Sequence, residues 1–283
     1  MFKLENAHLS ADILDPVADS RLLGSRYCVG GYIFQVKDQT KSNLLTGPTY
    51  PDNGYNAFDG QGAPEVFLTA LNEDKAKAGE DVVVLGVGVV TRTSPITPFH
   101  VRDNPKVKEF AKWDVDRVAG KITMRTRHVF DKWDISVVRS VSLDTRTIVS
   151  KTVLLNSGEA ACPLRWFPHP FFPVPKDHVA CRFGFPISVP DNAGYFLNSS
   201  GFLELKPGYD WKKGLYQPLT MESPALFSAE QRHPLINKVT VSCDYIPSFL
   251  PVWANSRTFS FEPYLEKQIQ SGEEFSWKIE YSF

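Results

Sequence analysis

Along much of the chain, apolar and polar residues alternate with a period of two. At the C-terminal end Phe275, Trp277, Ile279, Tyr281 and Phe283 share one parity, and Glu274, Ser276, Lys278, Glu280 and Ser282 share the other. Successive side chains of a strand point to opposite faces of a sheet, so this spacing predicts a half-buried β-strand. Ile122, Met124, Thr126, His128 and Phe130 repeat the pattern, as do Ile135, Val137, Arg139, Val141 and Leu143, and then Val239, Val241, Cys243 and Tyr245. The short polar breaks Asp144-Thr145-Arg146 and Asn156-Ser157-Gly158-Glu159 read as hairpin connections, which predicts an antiparallel meander. Helical periodicity is scarce. Its best case is residues 64–77, where Pro64 can open a helix and Ala, Leu and Glu favour its continuation. Without regular alternation of strands and helices, a doubly wound parallel sheet or a (β/α) barrel is excluded, and the predicted class is mainly β.

Proline changes this picture locally. Among 21 prolines, Pro168, Pro170, Pro173 and Pro175 fall in residues 163–190, where they predict an ordered loop or sheet edge. Trp166, Phe167, Phe171 and Phe172 lie in the same stretch, and aromatics on rigid irregular backbone suit a sugar-binding cleft as well as a satellite hydrophobic cluster. Gly86-Val87-Gly88, inside the apolar run 82–90, reads as a bulge or close backbone approach rather than a dinucleotide loop.

With 283 residues, 42% hydrophobic and 22% charged, the chain can bury a sizeable core, and a single domain spanning 1–283 is expected. Lys and Arg total 31 against 32 Asp and Glu, so there is no sequence-wide attraction for nucleic acid or an anionic bilayer, and neither is expected as a partner. No apolar run approaches the ~20 residues that span a membrane, and the first residues lack a basic segment followed by an apolar one, so a cytoplasmic location is expected. Cys28, Cys162, Cys181 and Cys243 are widely spaced, which predicts reduced, structural thiols.

The chemistry-bearing residues exclude several large enzyme classes. There is no G-x-S-x-G elbow, P-loop or zinc-binding H-E-x-x-H, and the six histidines lack metal-ligand spacing. His169, within Arg165-Trp166-Phe167-Pro168-His169-Pro170-Phe171-Phe172, is either a titratable ring shielded from water or a histidine satisfied by a backbone carbonyl. Glu262 has the parity of Ser260 and Tyr264, opposite Phe259 and Phe261, and is either a site carboxylate or a solvated surface one. Arg139 shares parity with four aliphatic residues, which suits an inward charge protecting an edge strand or a ligand-facing cation in a concave sheet.

Several segments together resemble the galactose mutarotase-like superfamily, the aldose 1-epimerases and their uncharacterised relatives. They are Gly24-Ser25-Arg26-Tyr27 followed by Gly30-Gly31-Tyr32-Ile33, then Gly62-Ala63-Pro64-Glu65-Val66-Phe67, then His169-Pro170-Phe171-Phe172. Phe261-Glu262-Pro263-Tyr264-Leu265-Glu266, the turn Gln270-Ser271-Gly272-Glu273-Glu274 and Trp277-Lys278-Ile279-Glu280-Tyr281 close the series. The resemblance implies a large twisted antiparallel β-sandwich, the mutarotase-like supersandwich, that holds a monosaccharide or modified sugar and interconverts its α and β anomers.

By motif, the resemblance places the base on Glu262 and the acid on His169, and a pocket in which the two face each other across the width of one pyranose would support that reading. It offers Arg26, Glu65, Arg139 and His100 as substrate contacts. The mechanism it implies needs no cofactor and no metal, and the expected assembly is a monomer or homodimer. The H-G-G-like segment that holds a second active-site histidine in well-studied mutarotases has no counterpart between Phe67 and His169; His100 and His128 are the substitutes that the sequence offers. That departure keeps a non-catalytic carbohydrate-binding protein as the alternative, with an oligosaccharide lyase or hydrolase behind it.

Overall fold

The computed structural model describes residues 1–40, 42–51, 53 and 55–283. The chain folds as a series of antiparallel sheets, and the only helical elements among the described residues are three single 3-10 turns, Ser20–Leu22, Val101–Asp103 and Trp211–Lys213. The meander predicted from alternation forms the heart of a ten-stranded sheet. There Lys121–Phe130, Trp133–Asp144, Thr147–Asn156 and Glu274–Ser282 lie side by side, continued by Asn237–Cys243 and Ser228–His233. Asp144 pairs with Thr147 and Phe130 with Trp133, so both hairpins turn in two residues, with Thr145 and Asp131 at positive φ as such tight turns require. One face of this sheet is buried through Ile122, Met124, Ile135, Val137, Trp277 and Ile279, which belong to the parity sets read from the sequence, and through Ile148 and Leu154 of the strand between them.

Three smaller sheets complete the part of the fold that positions the site. One is Leu265–Ile269, Cys162–Pro168 and Glu65–Phe67; a second is the five-stranded sheet in which Phe172–Pro173 borders Thr258–Phe261, followed by Leu250–Ala254 and Leu215–Met221. The third pairs Asp81–Val84 with Gly88–Thr91 through a turn at Gly86. Gly88 is a close backbone approach, as expected: a Cβ there would lie 2.1 Å from the Glu109 carbonyl oxygen. The fold is mainly β and built of antiparallel sheets, as expected, and all four cysteines are free and buried. Among the described residues, no helix is long and apolar enough to cross a membrane.

Two local expectations are corrected. Residues 64–77 contain no helix; Glu65–Phe67 and Ala70–Leu71 are short strands. Val66, Phe67, Leu68, Ala70 and Leu71 are all buried, and a helix would turn part of this run outward, so cross-strand burial outweighs the helix propensity of the segment. Asn72, at φ 72°, then takes the chain into turns. The proline-rich stretch is more regular than expected. Cys162–Pro168 is the central strand of its sheet, with Pro163 and Pro168 near its ends, whereas Phe172–Pro173 is an edge strand as predicted.

Candidate active site

His169 follows the Cys162–Pro168 strand at the point where the chain leaves one sheet for the next. Its backbone N–H donates to the Pro64 carbonyl (2.8 Å), and the Phe171 N–H donates to Gly62 (2.8 Å). Gly62 is required there: its φ is +78° and a Cβ would stand 2.3 Å from the Ile33 carbonyl oxygen. Across the cleft, Thr258–Phe261 pairs through Phe259 with Phe172, which brings Ser260 and Glu262 up to the His169 ring. Phe259 and Phe261 point the other way and are fully buried. Glu262 thus keeps the direction that parity assigns it, but the strand is buried on both faces, and the solvated-carboxylate alternative is overturned: Glu262 is only 5% exposed.

His169 Nδ1 lies 2.7 Å from Ser260 Oγ, and its Nε2 lies 3.7 Å from Glu262 Oε1. The ring sits between Phe167 and Phe171, with the Phe171 centroid 4.4 Å away. Burial pushes the His169 pKa well below its ordinary value, and the nearby Arg26 guanidinium adds to this. Burial raises the Glu262 carboxyl to about 8 against partial opposition from Arg26 and Tyr264. At neutral pH the resting pair thus holds one proton, carried mainly by Glu262. The separation of 3.7 Å is closer than facing groups on opposite sides of a sugar would stand, which corrects the expected placement.

Both residues line a cavity of about 500 Å³, within the ~300–1,000 Å³ typical of small-molecule sites. Tyr264 stacks on Phe167 in one wall (centroids 4.4 Å apart, planes at 15°), and Tyr216 and Trp253, opposed across two neighbouring strands, line another. Arg26 joins the lining, donates to the Phe58 carbonyl and lies over the Tyr27 and Phe58 rings at 5.0 and 5.2 Å. His100 also lines the cavity, with burial lowering its pKa to about 4.

The other resemblance-derived residues stand elsewhere. Glu65 and Arg139 are absent from the cavity wall and hold each other at 2.6 Å, 3% and 1% exposed at their side chains. Arg139 comes from an interior strand, so it protects no sheet edge; it donates to Gly30 O, Ser150 Oγ and Thr152 Oγ1. His128 is buried away from the cavity wall, where Nε2 accepts the Gly86 N–H. Of the four aromatics singled out in the proline-rich stretch, Phe167 and Phe171 line the cavity, while Trp166 and Phe172 are fully buried core residues.

Sequence reasoning missed Ser260, Tyr216, Trp253, Asp59 and Arg102. Ser260 was within reach through its shared parity with Glu262, whereas Tyr216 and Trp253 carried no signal beyond being aromatic. Among the described residues, no group of three or more His, Cys, Asp and Glu side chains is arranged to hold a metal ion.

Comparison with known proteins places this geometry in a recognisable fold. No protein-family model and no curated protein matches the sequence. Solved structures do match. A galactose mutarotase-related enzyme from Lactobacillus acidophilus superposes with a TM-score of 0.63 at 13% identity, covering 99% of this chain and 96% of that one. A galactose mutarotase-like protein from Lactobacillus casei gives 0.57 at 13% identity, with 100% and 99% covered. An aldose epimerase homologue from C. elegans gives 0.51 at 11%, with 99% and 97% covered. The resemblance noted in the sequence is therefore matched by a shared fold over nearly the whole chain.

Proposed function

We propose that this protein is an aldose 1-epimerase-like isomerase that interconverts the α and β anomers of a monosaccharide, with Glu262 as base and His169 as acid. The observation that carries this reading is their juxtaposition: a carboxyl and an imidazole 3.7 Å apart, shielded from bulk water, on the wall of a cavity of small-molecule size. In the proposed reaction Glu262 removes the proton of the anomeric hydroxyl, the C1–O1 bond becomes a carbonyl and the C1–O5 bond breaks. O5 takes its proton from His169. Rotation about the C1–C2 bond turns the aldehyde, and the same transfers run backwards on its other face.

Each group both loses and regains its proton, so the pair needs one proton between them, the number held at rest. Burial favours the neutral form, Glu262 carboxylic acid with His169 imidazole. Reaching the reactive carboxylate–imidazolium form depends on the sugar hydroxyls and Arg26 supporting the carboxylate in place of water. Ser260 Oγ, at Nδ1, leaves Nε2 as the ring atom that faces Glu262 and the substrate. We take residues 1–283 as one domain, supported by a core cluster that draws on all the main sheets.

The test is anomer exchange followed by proton NMR over a panel of aldoses. Acceleration lost in Glu262→Gln and His169→Asn supports the reading. Equal exchange by parent and both variants overturns the assignment. The resting proton on Glu262 favours one second reading, a sugar-binding protein without turnover; binding shifts without acceleration for any sugar would establish it.

A further inference from the structure

Resting on the epimerase reading, we infer that the sugar carries an anionic substituent, such as a phosphate or carboxylate, and that Arg102 and His100 form its recognition wall. Both residues line the cavity, on a different element from Glu262 and His169: they belong to the Val101–Asp103 turn and its cap. This wall offers donors. His100 Nδ1 accepts the Arg102 backbone N–H at 3.0 Å, so a neutral His100 ring keeps its own N–H on Nε2. The Arg102 guanidinium approaches the neighbouring Asp103 carboxylate at 3.6 Å, too far for a strong hydrogen bond, and its side chain is 54% exposed.

Nearby arginines are committed otherwise. Arg92 donates to the carbonyls of Glu73, Ala76, Ser94 and Ile96, Arg165 pairs with Glu266 at 2.8 Å, and Arg26 serves the Phe58 carbonyl. Arg102 thus brings fork-shaped donors to the cavity, a geometry suited to an oxyanion.

The turn is also held in place. Ser25 Oγ donates to Val101 O at 2.8 Å, Asn104 Nδ2 donates to His100 O at 2.8 Å, and Asn104 Oδ1 accepts the N–H groups of Thr93 and Ser94. Val101 and Asn104 are buried, so Arg102 projects from a fixed platform. Among the described ionisable residues lining the cavity, the two guanidinium groups of Arg26 and Arg102 face the carboxylate of Asp59 and a Glu262 that keeps its proton near neutral pH. On the wall itself the balance is positive, with Asp103 beside Arg102 but outside the lining, which favours an anionic ligand over a neutral one.

The test compares hexose 6-phosphates and hexuronic acids with their neutral parent hexoses, using the parent protein, Arg102→Ala and Arg102→Lys. Exchange is read by NMR and binding by chemical-shift titration. The expected result is a kcat/KM at least about tenfold higher for the anionic sugars, a preference lost in Arg102→Ala mainly through KM and partly restored in Arg102→Lys. Equal turnover of anionic and neutral sugars, or an anionic preference unchanged in Arg102→Ala, would overturn the inference while leaving the epimerase reading standing. Arg102-dependent binding of anionic sugars without accelerated exchange would do the reverse. Neither binding nor exchange of any sugar in the panel would remove both.

Discussion

Among the described residues the fold buries two acid–base pairs and builds them to opposite ends. Glu65 and Arg139 meet at 2.6 Å, and their remaining polar atoms are taken up by Ser150, Thr152 and the Gly30 carbonyl. Burial alone would lower the Arg139 pKa, but Glu65 reverses this and holds it above its ordinary value. Glu262 and His169 stand 3.7 Å apart, open to a cavity, with burial acting against the charge of both. The first pair is closed, each member held by the other and by its hydrogen-bond partners; the second shares one proton and has room for a ligand. A buried ionic pair becomes a candidate site when its charges are left incompletely compensated, because only then does a proton or a substrate change its state at modest cost.

The largest expected effect falls on the open pair. Glu262→Gln should reduce anomer exchange by ~10²–10⁴-fold, the usual contribution of a positioned acid or base. If it leaves exchange intact while Glu65→Gln abolishes it without loss of folding, the contrast between the pairs collapses.

The closed pair should respond in stability instead. Glu65→Ala or Arg139→Ala leaves a buried charge without its partner and should cost about 3–5 kcal/mol in denaturant unfolding. Glu65→Leu combined with Arg139→Met should recover much of that loss, since both charges then leave the core together.

The open pair should also make stability depend on pH. The Glu262 pKa is raised on folding from 4.5 to about 8, so its ionisation favours the unfolded chain. Its contribution is most favourable below 4.5 and is lost as pH rises towards 8. His169 is depressed on folding, so its contribution is present above 6.5 and is lost as pH falls. Relative to parent, Glu262→Gln should therefore gain stability as pH rises from about 5 to about 8, with a slope of at most about 1.4 kcal/mol per pH unit. Thermal melts across that range check it, and a constant difference would mean that Glu262 is not desolvated.

The smallest effect is expected from Ser260→Ala, which removes the partner of His169 Nδ1. A loss of about 1–3 kcal/mol in stability is expected from an unpaired buried group, with exchange reduced less than in His169→Asn. A shifted pH–rate profile in Ser260→Ala would separate positioning of the ring from simple packing.

The alternation of Ile135 to Leu143 and of Phe275 to Phe283, with the polar breaks at 144–146 and 156–159, is enough to predict the meander and its buried face. Its logic is local: a period of two can bury one side in only one way. Residues 64–77 mislead because helix propensity is also local, while the burial that overrides it comes from Trp166, Phe167, Val83 and Val84, distant in sequence. Glu262, His169, Arg26 and His100 are legible through resemblance and parity, and the structure brings those four to one cavity.

Parity can say that Arg139 points inward, and motif can single out Glu65, but neither can say that the two neutralise each other away from the cavity wall. Nor can the chain read alone show that Ser260 meets His169, or that Arg102 reaches the cavity while Arg92 is consumed by carbonyls. Periodicity and turn chemistry belong to the sequence by itself. Which charges are paired and which are left open to a ligand depends on contacts between residues far apart in the chain, and only the tertiary structure decides those.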